Sequence, residues 1–147
     1  MSLRDYTRET LRGLAGVLVI VENIKEDAEA DGLSAAQLQA NVEEQLEGAG
    51  IYAMPHERWR TATGRPWLYV SINTMKVVTS YFFSIDVQLK QEVSLRRQPA
   101  IMTSSATWEM GSIGFTAAEE LPVRISEFVT AYVAEFITDY RVANSDA

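Results

Sequence analysis

The residue types best suited to chemistry gather in one stretch: His56, then Arg58-Trp59-Arg60, then Arg65, with Trp67 and Tyr69 just beyond. Tryptophan and arginine combine apolar area with forked hydrogen bonding, the mixture enriched at binding hot spots. Arg58, Trp59, Arg60, Arg65, Trp67 and Tyr69 are therefore the candidate residues for a ligand or partner. A plainer account fits the same residues, with both tryptophans packed into the core and the arginines solubilising a loop. Sequence alone leaves both open.

Other chemistries fail on type or spacing. His56 is the single histidine. A histidine triad would need an acid and a nucleophile brought to it from elsewhere, and no serine sits in a G-x-S-x-G turn. His56-Glu57 has no second histidine after it, so the H-E-x-x-H zinc motif is missing. The absence of cysteine removes disulfides, thiolate metal sites and cysteine nucleophiles together. The glycines at 13–16 and 48–50 match neither the dinucleotide fingerprint nor the P-loop. Asp27, Glu29, Asp31 and Gly32 match the first half of a calcium loop, but its last position is Leu38 where a bidentate glutamate belongs. That segment reads as a solvated acidic loop. Glu119 and Glu120 are adjacent and point differently, and acidic groups near a helix start are favoured by the helix dipole alone. No catalytic residue, metal ligand or cofactor is assigned.

At 147 residues the chain reads as one domain, 1–147, with Met1-Ser2-Leu3 resembling an expression leader. A native signal peptide would then have been trimmed away, so export to the periplasm is expected, with a cytoplasmic location as the alternative. The net charge of −7 argues against nonspecific nucleic-acid binding. Its distribution is uneven: residues 1–50 hold 4 basic and 10 acidic side chains, 51–100 hold 7 and 3, and 101–147 hold 2 and 7. The middle third is thus a basic island, a hint of an anionic partner. No apolar run is long enough for a transmembrane segment.

The elements that must carry the loop follow from periodicity. Val17 to Val21 are five consecutive β-formers, the pattern of a strand covered on both faces. Ser34, with Gln37 three residues on, has capping-box spacing, and Leu38, Val42 and Leu46 share one helical face up to Gly50. Ile51 to Met54 reads as a short strand after it, so a parallel crossover is expected. Leu68, Val70 and Ile72 alternate with polar partners, and so do Phe83 to Leu95, where Gln91 interrupts the apolar series and predicts a bulge or a buried hydrogen bond. After the turn at Arg96-Arg97-Gln98-Pro99, residues 101–110 pair back, with Gly111 and Gly114 ending the strand. A final helix opens at Pro122 with a broad apolar stripe from Ile125 to Tyr140. The expected fold is α+β, β-α-β-β-β-β-α: a two-layer sandwich with a mixed, mostly antiparallel sheet of about five strands and two helices on one face.

With both helices on one face, the other face should be polar. Yet Leu18, Ile20, Trp67 and Tyr69 point there, which suggests an apolar patch for a protein partner, a second copy, or a covering loop. The N-terminal segment or the Trp59 loop could be that cover.

The runs Gly16-Val17-Leu18-Val19-Ile20-Val21-Glu22, Ala49-Gly50-Ile51, Gln91-Glu92-Val93-Ser94-Leu95-Arg96-Arg97 and Ala106-Thr107-Trp108 resemble those of uncharacterised, often exported bacterial proteins. The likeness covers most of the chain and brings no activity with it. The order of elements also looks like the N-terminal domain of TolB and related domains of envelope lipoproteins that act in curli secretion and penicillin-binding-protein activation. That resemblance implies a noncatalytic binding or assembly module of the bacterial envelope. The alternatives are a protein for small anionic ligands, or a cryptic hydrolase, using Arg58, Arg60 or Arg65, and a cytoplasmic regulatory domain.

Overall fold

The computed structural model describes residues 2–145. It is α+β, with one open, mixed four-stranded sheet and, among the described residues, five α-helices. The apolar run becomes β1 (Leu18–Val21), and the alternating stretches become β2 (Trp67–Val77) and β3 (Ser80–Leu95). The return strand is β4 (Gln98–Ala117). Spatial order follows chain order, with β1 parallel to β2 and the remaining pairs antiparallel.

Three expectations change. The sheet has four strands, not five, because Ile51–Met54 contributes only a bridge between Ala53 and Val17. Pro55 follows at once, has no N–H to extend a ladder, and starts the helical turn α4 (His56–Trp59). Secondly, β4 runs straight through Gly111 and Gly114. A β-carbon at Gly111 would lie 2.3 Å from Asp86 Oδ1, and one at Gly114 would lie 2.3 Å from the Phe83 ring. These glycines make room for side chains of the neighbouring strand rather than ending their own. Thirdly, the acidic segment holds a short helix, α2 (Glu26–Ala30), where a loop was expected. Ahead of β1 lies α1 (Leu3–Glu9), capped by Ser2, whose hydroxyl and backbone exchange hydrogen bonds with Asp5. Of the expected leader, Met1 lies outside the described residues.

Helix α3 (Ala35–Gly48) forms where its cap predicts. Ser34 Oγ accepts from the Gln37 N–H at 3.1 Å, but the Gln37 side chain donates to Asn41 instead of reaching back. Gly50, at φ +82°, takes the left-handed conformation that lets the chain leave the helix. Helix α5 (Leu121–Asn144) carries Pro122 in its first turn.

The core lies between these two helices and one sheet face. Its sheet side is built from cross-strand rows: Leu68, Leu89 and Trp108 in one, Val70 and Val87 in the next, then Ile72 and Ile85. Its helix side is Leu38, Val42 and Leu46 of α3 with Ile125, Val129, Val133 and Phe136 of α5. Trp108 meets Phe136 edge to face at 5.3 Å. No described helix is long and apolar enough to cross a membrane.

Two polar devices lock this core. Asp139 of α5 is buried; it accepts from Arg8 Nε of α1 at 3.1 Å and from Trp108 Nε1 of β4 at 2.9 Å. Gln91 resolves its own anomaly in both expected ways. The register shifts after Leu89, leaving Thr107 as the extra residue of a bulge, and Gln91 Nε2 donates to Thr107 Oγ1 and to the Thr10 carbonyl.

Removing the Asp139 carboxylate would leave the buried Trp108 N–H without its acceptor and Arg8 with only the longer contact to Asp5 at 3.6 Å. Asp139→Ala is expected to lower unfolding free energy by about 2–4 kcal/mol, and Asp139→Asn by less because it keeps an acceptor. Urea titration followed by circular dichroism measures both.

Candidate functional site

The chain leaves α3 on the outer side of β1, at Ala53, and must next reach β2, on the inner side. It passes β1 on the sheet face away from α3 and α5. Helix α4 makes the crossing, and Gly64 and Arg65, both at positive φ, turn the chain into β2. The face it crosses carries Leu18 beside Trp67 beside Lys90, and Ile20 beside Tyr69 beside Gln88. These are the side chains that strand alternation turns away from the core.

A pocket of about 500 Å³ lies between this loop and the sheet. Its sheet side is Leu18, Ile20 and Trp67, joined by Glu92, Met102, Thr103 and Ser104 of the β3–β4 hairpin. That hairpin overhangs, because Trp67, the first residue of β2, already pairs with Lys90. The loop side is His56, Trp59 and Arg65.

Two contacts hold the loop over the sheet, and a third stacks it on itself. The Glu92 N–H donates to the Gly64 carbonyl at 2.8 Å. Arg65 Nη2 donates to Glu92 Oε2 at 3.0 Å. The Arg65 guanidinium also lies 5.9 Å from the centre of the Trp59 ring, whose other neighbour is the His56 imidazole at 5.5 Å. The Arg65 hydrogen bond holds the Glu92 carboxyl below the usual range, and Glu92 in turn raises Arg65. Trp67 and Tyr69 meet edge to face at 5.1 Å, and Lys90 Nζ sits 5.1 Å and 4.8 Å from their ring centres. Trp59 Nε1 is buried with no hydrogen-bond partner among the described residues.

Of the six candidate residues, Trp59, Arg65 and Trp67 line the pocket and Tyr69 abuts it through Trp67. Arg58 faces a separate groove of about 780 Å³ beside Arg12, Thr61 and Thr63. Arg60 is exposed and lines neither. The arginines therefore diverge. Neither Trp59 nor Trp67 belongs to the buried core. The basic island is likewise dispersed, with Arg65 on Glu92, Lys76 on Asp31 and Lys90 on two rings.

Sequence reasoning missed Met102 and Ser104, which reach the pocket only because the hairpin outruns β2. His56, Ser104 and Glu92 line the same pocket, but no hydrogen bond or ion pair joins them among the described residues, and Glu92 is engaged by Arg65. Asp31 of the half-matched calcium loop is held by Lys76 Nζ at 2.8 Å and the Tyr81 hydroxyl at 2.5 Å. No protein-family model matches the chain, and a search of curated proteins finds no match.

The Glu92 shift sets a pH window. A carboxyl whose folded pKa is depressed contributes above its unfolded value, about 4.3, and its contribution fades as pH falls through the lower folded value. In a His56→Gln background, which takes the titratable imidazole off the Trp59 ring, the Trp59 indole resonance should hold its position from neutral pH to about pH 4 and move only below that. Glu92→Gln should produce the moved resonance already at neutral pH.

Proposed function

We propose that this is a noncatalytic binding module, a two-layer α+β domain that takes an apolar, ring-bearing segment of a partner protein into the pocket under Trp59. The observation that carries the reading is the pocket's chemistry: two indole walls and an aliphatic floor, with its one carboxylate and one guanidinium paired to each other. Binding pockets are concave and mostly apolar, with few polar groups to fix orientation. With no unbalanced charge in its lining, the pocket favours an uncharged group over an anion, and the diverging arginines support the same choice. The envelope address, in the periplasm or otherwise exported, rests on the resemblance to exported bacterial proteins and to TolB N-terminal-like domains. N-acetyl-tryptophanamide serves as a minimal ring probe in ¹H–¹⁵N titrations. Millimolar probe should shift the Trp59 and Trp67 indole resonances and the Ser104 amide, and Trp59→Ala should abolish the shifts. No movement of these resonances would sink the reading.

A second reading, a small-ligand protein or cryptic hydrolase, is favoured by the pocket's volume of about 500 Å³ and by Ser104 and His56 in its lining. Cleavage of p-nitrophenyl esters that is lost in both Ser104→Ala and His56→Ala would establish it. Cleavage indifferent to both substitutions, or none at all, removes it.

A further inference from the structure

The open sheet face carries a second apolar surface at the end remote from the Trp59 loop. Register places Met75 beside Phe82 beside Phe115, and Val77 in the adjoining row, all turned away from the core. Phe82 and Phe115 stack with ring centres 4.8 Å apart. Ile113, two residues along the same face of β4, is 85% exposed. Between these side chains lies a shallow dish of about 580 Å³. Val78 extends the surface to the tip of the β2–β3 hairpin. It is 87% exposed and holds φ +59°, a conformation that a β-branched residue adopts only under strain and that glycine would take freely.

From these observations we infer that this surface is where a second copy of the chain docks, each copy placing its Ile113–Phe115 face on the same face of the other. Two quantities choose the occupant. The first is area. The six side chains expose roughly 600 Å², at the upper end of what a lone soluble chain shows in one patch and most of the ~800 Å² each partner gives a standard interface. A two-fold contact uses every one of these residues twice, so one patch supplies both sides. The second is charge. Residues 72–75, 80–85 and 110–117 contain no charged side chain, although the chain carries −7 overall. An uncharged face is the place where two copies of an acidic protein meet with least repulsion. Lys76, between Met75 and Val77 in sequence, stands on the other face and is paired with Asp31 at 2.8 Å, while Asp86, the next charge along the open face of β3, is acidic and would repel an anionic lipid surface.

The surface lies on different residues from the pocket, so its failure would leave the pocket reading standing. Sedimentation velocity across a concentration series is the test. The unaltered chain should be dimeric at about 100 µM. Ile113→Lys should raise the dissociation constant about 100-fold or more, because the lysine is buried twice without a partner. Met75→Lys should act in the same direction, and circular dichroism should show both variants folded, since the positions are exposed. Val123→Lys, the same change on the outer side of α5, should leave the dimer intact. A strict monomer at that concentration overturns the inference. So does a dimer indifferent to Ile113→Lys and Met75→Lys, which would point to pairing along the free edge of β4 instead. Flotation of the monomer with phosphatidylglycerol vesicles, lost in Ile113→Lys, would also overturn it and assign the patch to lipid.

Discussion

The pairing of Leu68 with Leu89, and of Leu89 with Trp108, is the constraint on which the rest of the molecule depends. Side chains alternate along an unbroken strand, so this one row decides the faces of β2, of β3 and of β4 from Trp108 onward. It puts Val70, Ile72, Phe83, Ile85 and Val87 under α3 and α5. It also turns Trp67, Tyr69, Met75, Phe82, Ile113 and Phe115 outward. A slip of one residue would bury the serines and glutamines of the open face and expose the core. The two-residue turn at Val78–Thr79 holds the register of β2 and β3 at that hairpin end, and the β3–β4 register shifts twice, at the Thr107 bulge and between Ser94 and Leu95 beside the Arg96–Arg97 turn.

The candidate pocket is a consequence of connectivity more than of any motif. Because Ala53 lies outside β1 and β2 lies inside it, fewer than fifteen residues must cross the strand, and Pro55 and Gly64 shape that crossing into a helical turn and a reversal. The crossing segment covers Leu18 and Ile20 and leaves a gap against the overhanging β3–β4 hairpin. Its fastening contrasts with that of α1. Asp139, out of water and bonded to α1 and β4 together, is a structural rivet whose loss leaves buried polar groups unpaired. Arg65–Glu92 is a partly exposed pair, and such pairs contribute little to stability. Its part is positional: it sets Arg65 over the Trp59 face and neutralises the pocket rim.

The apolar residues of the open face fall into two groups with different covers. Leu18, Ile20 and Trp67 have the loop, and Trp67 and Tyr69 have Lys90 as well. Met75, Phe82, Ile113 and Phe115 are left exposed among the described residues. Both groups come from the same register, at opposite ends of the open face.

Sequence by itself determined the α+β class, the helix from Ser34 to Gly50, the Pro122 helix and the core faces of β2 and β3, because periodicity and capping are local and survive in one dimension. It also singled out Arg58, Trp59, Arg60, Arg65, Trp67 and Tyr69 as one candidate group, and Leu18 and Ile20 as facing away from the core. Only the tertiary structure decided that Ile51–Met54 makes a single bridge, that Gly111 and Gly114 sit inside a strand, and that Arg58 and Arg60 part company with Arg65. It alone brought Met102 and Ser104 to the pocket and gathered Met75, Phe82, Ile113 and Phe115 into one surface. These outcomes depend on which strand lies beside which, and on the space a neighbour's side chain leaves free. A glycine that ends a strand and a glycine that yields to Phe83 read alike until the two strands are side by side.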